Sequence, residues 1–197
     1  MGGNVTEGGG DPALAPLFPL HTVLFPGGVL PLHLFERRYQ LLVEEGLNFV
    51  VVLIRSGSEV GHSGVEGIHA VGTMASPTHV QQLPDGDYAV RARGLHRVRI
   101  LSVDRNGPYL RGLVQPIADP APPPSPWLVV LLRRTLANHG VEMAPEARAE
   151  LLDPARAGPI KAVWLAGAML QGESRRRQWL LESGDPALAE FLLEQES

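Results

Sequence analysis

Four arginines alternate with other residues along two neighbouring segments in the middle of the chain. They are Arg91, Arg93, Arg97 and Arg99. Side chains at every second position of a β-strand point to the same face of a sheet. The four guanidinium groups could therefore bind consecutive phosphates, and this spacing makes them the candidate site for nucleic acid.

A solvated sheet face is the interpretation that we favour for these arginines. The net charge of the chain is -4, so there is no overall attraction to nucleic acid. Asp87 and Asp104 are available to pair with the guanidinium groups, and no aromatic side chains alternate with the arginines to stack on bases. We therefore do not expect nucleic acid as the main partner, and RNA binding is kept as the alternative.

The histidines and the single lysine predict neither a metal site nor an enzyme. Seven histidines occur without H-x-H or H-x-x-x-H spacing, and cysteine is absent. His62, His69 and His79 could form a metal site only if the fold brought them together, because a metal needs several convergent ligands. Lys161 belongs to no phosphate-binding loop and has no nucleophilic serine loop beside it. We predict no metal, no cofactor and no catalytic residue.

An apolar stretch near the start of the chain raises the possibility of a membrane span. No charged side chain lies between Leu17 and Phe35. A spanning helix needs about 20 apolar residues with unbroken hydrogen bonding, whereas Pro19, Pro26 and Pro31 each remove a donor. The residues before Leu17 also lack the positive charge that is typical of an export signal. We therefore predict a cytoplasmic protein without a membrane segment.

The same stretch contains more large apolar side chains than one strand and one turn readily bury. The candidates for lining an open groove are Phe25, Val29, Leu30, Leu32, Leu34 and Phe35. Such a groove would bind an extended or partly unfolded peptide through side-chain pockets and edge pairing. The alternative is that these side chains pack into the core, and we expect this for most of them.

The surrounding segments predict a β-rich domain over residues 16–117, after a disordered tail at residues 1–15. Asn48–Ile54 is a short apolar run, typical of a strand that is buried on both faces. Gly72 indicates a bulge or a close backbone approach, and Pro84-Asp85-Gly86 predicts a turn. Several short strands with Gly/Pro turns favour a barrel or a sandwich.

One helix is predicted in this half of the chain, at Phe35–Leu47. Phe35, Tyr39, Leu42 and Val43 fall on one side of it at helical spacing, with charged residues opposite. We expect this apolar side to pack against the strands.

The second half of the chain changes to helical patterns. Residues 118–126 are rich in proline and predict a semi-rigid linker. Residues 127–197 predict a helical bundle, in which Ser125 and Pro126 start the first helix and Gly158–Leu170 forms a largely apolar, buried one. The predicted fold class is therefore α+β.

Several pieces of the sequence occur together in an order that is specific to one family. They are Phe25-Pro26-Gly27, Leu30 to Glu36 and Arg38-Tyr39, followed by VGTMA, LPDGDYAVRARGLHRVRI and PYLRGLVQPI. Together they resemble the N-terminal domain of the ATP-dependent Lon proteases, over about residues 16–193. The resemblance implies a pseudo-barrel related to PUA domains, followed by a helical bundle.

Five residues of the matched pieces are interpreted as structural: Pro26, Gly27, Glu36, Arg38 and Tyr39. Motifs of proline, glycine and large apolar residues specify architecture more often than chemistry. We expect Glu36 and Arg38 to form a local charge pair, and Tyr39 to be a buried anchor of the helix.

The resemblance also implies a function, because in Lon proteases this domain recognises substrates and helps to organise the oligomer. The sequence contains no ATPase or protease module, so we expect a free-standing, non-catalytic polypeptide-binding module. The expected partners are unfolded or degron-bearing polypeptides, and also a protease or chaperone for which the chain would be an adaptor. A small-molecule or enzymatic role in a barrel pocket is a further alternative, and the oligomeric state is not predicted.

Overall fold

The computed structural model describes residues 10–57, 65–138 and 158–195. Within these ranges the strands are β1 (Ala13–Leu20), β2 (Val29–Leu34), β3 (Phe49–Gly57), β4 (Val65–Ile68), β5 (Val71–Gln82), β6 (Tyr88–Asp104) and β7 (Arg111–Pro116). The helices are α1 (Arg37–Glu44), α2 (Pro126–Asn138), α3 (Pro159–Met169), α4 (Ser174–Ser183) and α5 (Pro186–Gln195). None of these described helices is long and apolar enough to cross a membrane.

The strands close into a barrel in which the long strand β6 pairs with three others. One edge of β6 pairs with β5, and the other edge pairs first with β2 and then with β7. β7 continues to β1, and β5 continues to β3. Parallel pairing of β1 with β3, with Leu17 opposite Val50, completes the circle. The α+β class and the predicted pseudo-barrel are confirmed.

Strand β3 supplies the centre of the barrel core. All side chains from Phe49 to Ile54 are buried, and from Phe49 to Val52 successive ones join two different clusters on opposite faces of the strand. A Cβ atom on Gly72 of β5 would lie 2.7 Å from the carbonyl oxygen of Val51, so only glycine fits there. The predicted buried strand and the predicted close backbone approach are both confirmed.

Helix α1 is shorter than predicted and begins only at Arg37. Its buried side carries Tyr39 and Leu42, and the ring centroid of Tyr39 lies 4.1 Å from that of Phe18. Phe35 is 55% exposed. The prediction that it lies on the apolar side of the helix is wrong, because Phe35 precedes the first turn and helical spacing does not set its direction.

The predicted charge pair at the start of α1 is present. Nη2 of Arg38 lies 3.1 Å from Oε2 of Glu36, and the guanidinium carbon lies 4.4 Å from the centre of the Tyr39 ring. Arg38 and Tyr39 are both buried. These contacts hold the start of the helix against the barrel.

The first strand begins earlier than predicted. Residues 13–15 fall in the predicted tail, yet they pair with β7, and Ala13 lies opposite Val114. This pairing places them in the barrel, because it supplies partners for their backbone N–H and C=O groups. Residues 1–9 of the predicted tail lie outside the described residues.

Helices α2 to α5 pack on one another and on the barrel through one hydrophobic cluster. Helix α2 starts as predicted, because Oγ of Ser125 accepts a hydrogen bond of 3.1 Å from the N–H of Leu128. Phe25 of the barrel and Trp164 of α3 lie in the same cluster, and the predicted buried helix is thus confirmed. Residues 139–157, between α2 and α3, lie outside the described residues.

Gly167 on α3 leaves room for the ring of Phe25. A Cβ atom at this position would lie 2.3 Å from two carbons of that ring, which is only 1% exposed. Alanine gains about 1 kcal/mol over glycine in a helix, whereas overpacking a core costs about 1–3 kcal/mol. Because the clash is severe, we expect Gly167→Ala to lower the free energy of unfolding by about 1–2 kcal/mol, measured by urea denaturation.

Ala168→Ser is the matched control, since it adds one heavy atom at the neighbouring exposed position of the same helix. Its free energy of unfolding should change by no more than about 0.5 kcal/mol. A Gly167→Ala protein as stable as the parent would contradict this account of the contact.

Candidate functional site

A tight turn at Phe25-Pro26-Gly27-Gly28 lies where the barrel meets the helices. The N–H of Gly28 donates to the carbonyl of Phe25 at 3.0 Å, and Gly27 has a φ of 80°, as expected with proline second and glycine third. Gly94 of β6 bonds the turn from the side, accepting from Gly27 and donating to Gly28, both at 2.9 Å. Pro26 and Gly27 thus form the two central positions of this turn.

A cavity of about 500 Å³ lies between this turn and helix α3. Its walls are mostly apolar, and glycine backbone forms one side of it. The lining residues are Pro26, Gly27, Gly28, Gly94, Leu95, Asp119, Lys161, Trp164, Leu165 and Ala168. We call this space the junction cavity.

The junction cavity combines an apolar interior with two opposite charges. Leu95 is 41% exposed although it lines the cavity, and Lys161 and Ala168 are also exposed. Asp119 and Lys161 are the charged residues in the lining. Pockets that bind small ligands or side chains have this mixture of apolar walls and few polar groups.

The helical wall of the junction cavity is firmly packed. Trp164 is 2% exposed, and its ring centroid lies 6.2 Å from that of Phe25. The guanidinium carbon of Arg97 lies 5.0 Å from the centre of the Trp164 ring. This wall is therefore fixed by its contacts with the barrel.

Arg97 is a structural residue at this junction. It is 3% exposed, and its guanidinium donates to the carbonyls of Leu181 at 3.0 Å, Glu182 at 3.1 Å and Ala118 at 2.9 Å. The first two carbonyls belong to the last turn of α4, where acceptors lack helical partners and a cation is favoured. Burial lowers the pKa of Arg97, and the carboxylate of Asp119 opposes this change.

The prediction that Arg97 shares a solvent-exposed face with the other three arginines is wrong. Along β5, Met74 directly precedes Ala75, but their partners on β6 are His96 and Gly94, which are two residues apart. The extra residue is a β-bulge, and one inserted residue moves all later side chains to the opposite face. Arg97 is therefore turned towards the helices.

The remaining arginines of the predicted basic face are exposed. Arg91, Arg93 and Arg99 all lie on β6. The side chains of these three make no ion pair or hydrogen bond with another residue in the described part of the chain. Arg91 and Arg93 precede the bulge and Arg99 follows it, so only Arg91 and Arg93 share a face, and the basic surface is smaller than predicted.

The six apolar groove candidates do not form a common groove. Phe25 and Leu34 are each 1% exposed. Phe25 belongs to the cluster between the barrel and the helices, and Leu34 to a cluster of the barrel. Their assignment to an open groove is therefore wrong. Leu30 and Leu32 are partly buried against the barrel core. Val29 and Phe35 are 51% and 55% exposed.

The predicted turn between β5 and β6 is confirmed, and it carries a cluster that the sequence did not predict. Gly86 has a φ of 91°, and its N–H donates to the carbonyl of Leu83 at 3.0 Å. Ligand atoms of His33, Asp85 and Asp87 lie within 4.8 Å of one another at the surface. Nε2 of His33 is 2.8 Å from Oδ2 of Asp87, and this pair ties β2 to the hairpin.

The histidines that were considered together for a metal site have separate surroundings. Nδ1 of His69 lies 3.3 Å from Oε1 of Glu182 on α4. His79 is exposed on β5, opposite Arg91. His62 lies outside the described residues.

Sequence reasoning did not find the junction cavity. Leu95 lies far from Trp164 and Leu165 along the chain, and only the packing of α3 against the turn brings them together. The one available signal was the apolar character of the helix from Gly158 to Leu170, which indicated burial but not a cavity.

Comparison with known proteins identifies the family. Residues 15–188 match the family model described as the ATP-dependent protease La (LON) substrate-binding domain. The chain therefore belongs to the Lon substrate-binding domain family, as its sequence motifs indicated.

Solved structures of this family share the fold. A Lon N-terminal domain protein from Xanthomonas campestris is 29% identical with a TM-score of 0.67, and the match covers 92% of this chain and 98% of that one. The N-terminal domain of the Mycobacterium avium complex Lon protease is 17% identical with a TM-score of 0.61, covering 93% and 97%.

Curated relatives are much longer than the matched region. The Lon protease of Koribacter versatilis is 33% identical over 129 residues, which is 64% of this chain and 16% of that protein. The Lon protease of Anaeromyxobacter dehalogenans is 28% identical over 112 residues, which is 55% of this chain and 13% of that protein. The match to these relatives is thus confined to a small part of their length.

Removing the Arg97 side chain should destabilise the whole fold. Arg97→Ala deletes the charged hydrogen bonds to three carbonyls, so we expect it to lower the free energy of unfolding by about 3 kcal/mol. Arg99→Ala removes the same charge from an exposed position of the same strand and should cost less than about 0.5 kcal/mol. Denaturant unfolding followed by tryptophan fluorescence measures both. Equal effects of the two changes would contradict the structural role of Arg97.

Proposed function

We propose that this chain is a non-catalytic polypeptide-binding module that holds an apolar side chain of an unfolded or extended polypeptide in the junction cavity. The cavity itself carries this proposal. A volume of about 500 Å³ lies within the range of ligand pockets and accommodates a large side chain. The exposed Leu95 offers apolar surface to a ligand from solvent.

The backbone of the Phe25–Gly28 turn favours a polypeptide as the ligand. Gly27 and Gly28 line the cavity without side chains, so an extended chain can approach closely. Asp119 and Lys161 then offer one acceptor and one donor to the amide groups on either side of the inserted side chain. Apolar anchoring with few polar contacts suits partners that vary in sequence.

Membership of a family described as substrate-binding supports the same function. The relatives in which the matched region occurs are named Lon proteases, and we propose that this chain shares the recognition step with them. We further propose that it delivers bound polypeptides to a protease or chaperone as an adaptor.

The site proposed here replaces the groove that the sequence suggested. Phe25 does not line the cavity, because its ring is buried against α3. Val29 follows the turn directly and is exposed, so it extends the apolar surface beside the cavity. We propose that it contacts the bound chain next to the inserted side chain.

A charge introduced into the junction cavity should prevent binding. Burying a leucine-sized contact contributes about 1.5–3 kcal/mol, so Leu95→Asp should weaken the binding of a labelled, permanently unfolded model protein about ten-fold or more. Leu101→Asp is the matched control, because Leu101 lies on the same strand, is similarly exposed at 47% and does not line the cavity. Fluorescence anisotropy measures both affinities, and circular dichroism checks that both variants fold.

Two outcomes would contradict this function. The first is the absence of saturable binding to unfolded proteins, and the second is equal weakening by Leu95→Asp and Leu101→Asp.

RNA binding is the second candidate, supported by the exposed Arg91 and Arg93. This function would be favoured if the chain bound single-stranded RNA with an affinity that falls steeply as the salt concentration rises. The affinity should then be lost when Arg91 and Arg93 are both replaced by alanine.

A further inference from the structure

A second cavity lies between the end of strand β3 and helix α4. Its volume is about 700 Å³, and its surface is more polar than that of the junction cavity. The side chains that give it this character are His21, Arg55, His69, Ser174, Arg175 and Trp179. The proposed polypeptide site does not use any of them.

Two arginines make this cavity suitable for an anion. Arg55 and Arg175 are exposed, and neither forms an ion pair or hydrogen bond with another residue that the structure describes. The two arginines that follow on α4 are engaged elsewhere. Arg176 pairs with Glu173 at 3.7 Å, and Arg177 donates to the carbonyl of Val23 at 2.9 Å. Two unpaired guanidinium groups at one cavity favour a phosphate-type ligand.

The walls of the second cavity are held in place by the fold. Oγ of Ser174 donates to the carbonyl of His21 at 2.6 Å and ties α4 to the barrel. The ring of His69 is oriented by Oε1 of Glu182, which also accepts from Nε2 of Gln178 at 2.8 Å. That carboxylate is thus already hydrogen-bonded on two sides.

Trp179 adds a flat apolar surface to the same cavity. It follows Arg175 by four residues on α4, so the two side chains lie on one side of the helix. Its ring is 54% exposed, and the buried Leu53 and Ile54 line the cavity beside it. An exposed indole of this kind stacks well on the planar ring of a nucleobase.

We propose that the second cavity binds a small ligand that carries a phosphate group and a planar ring, which is the chemistry of a free nucleoside monophosphate. The arginines contact the phosphate and Trp179 stacks on the ring. The cavity volume is sufficient for a ligand of this size. This site is separate from the junction cavity and does not depend on the proposed polypeptide binding.

Titration calorimetry with the full chain tests the site, using 5′-AMP, adenosine and inorganic phosphate as probes. We expect 5′-AMP to bind with a Kd below about 1 mM and about five-fold or more tighter than either of the other two probes. Arg175→Ala should weaken 5′-AMP binding about ten-fold. Trp179→Leu should reduce the affinity for 5′-AMP to that for phosphate, and leave the phosphate affinity unchanged.

Arg176→Ala is the matched control, since it removes the same charge from the neighbouring residue and should change the affinity less than about two-fold. Leu95→Asp should leave 5′-AMP binding unchanged, which separates this site from the junction cavity. Arg55→Ala gives a second test should Arg175→Ala fail to fold.

Three results with the small probes would overturn the proposal. They are the absence of saturable 5′-AMP binding, an equal loss of affinity in the Arg175→Ala and Arg176→Ala proteins, and phosphate binding as tight as that of 5′-AMP. Tighter binding of a short single-stranded oligoribonucleotide than of 5′-AMP would also overturn it, in favour of an RNA surface.

Discussion

The insertion of Phe25 between the barrel and helix α3 is the contact on which the rest of the structure depends. Its ring occupies the space that a side chain on Gly167 would fill, and its carbonyl occupies the space that a side chain on Gly94 would fill. Both glycines are needed because the turn touches the two layers at once. Gly94 also lines the junction cavity, where the absence of a side chain leaves room beside the turn. The packing of the turn and the shape of the junction cavity thus both depend on Gly94.

One buried arginine, Arg97, and one half-buried arginine, Arg177, keep the barrel and the helices in a fixed relation around this contact. Arg97 reaches from the barrel to carbonyls at the end of α4, and Arg177 reaches from α4 back to the carbonyl of Val23. A buried guanidinium is costly unless its donors are satisfied. The two groups can therefore be accommodated only while α4 stays in register with the barrel, and this constraint preserves the shape of both cavities.

The fold was predictable from the sequence to the extent that local patterns determine it. The buried strand β3, the turn at Gly86 and the start of α2 each depend on residues that are close in the chain. The orientation of the Arg97 side chain was not predictable, because one bulge residue in β6 moves the side chains that follow it to the opposite face of the sheet. Nor were the cavities, since their walls come from segments that meet only through tertiary packing.

Apolar side chains fill the interior of the barrel and leave little room there for a ligand. Side chains on both faces of β3 are buried in apolar clusters, so they fill the barrel beside this strand. Where the barrel meets the helices, the surfaces are less regular, because a turn and helix ends must fit against a twisted sheet. Both cavities lie at this boundary, one apolar beside α3 and one basic beside α4. Two cavities of different chemistry can therefore lie there without any change to the barrel core.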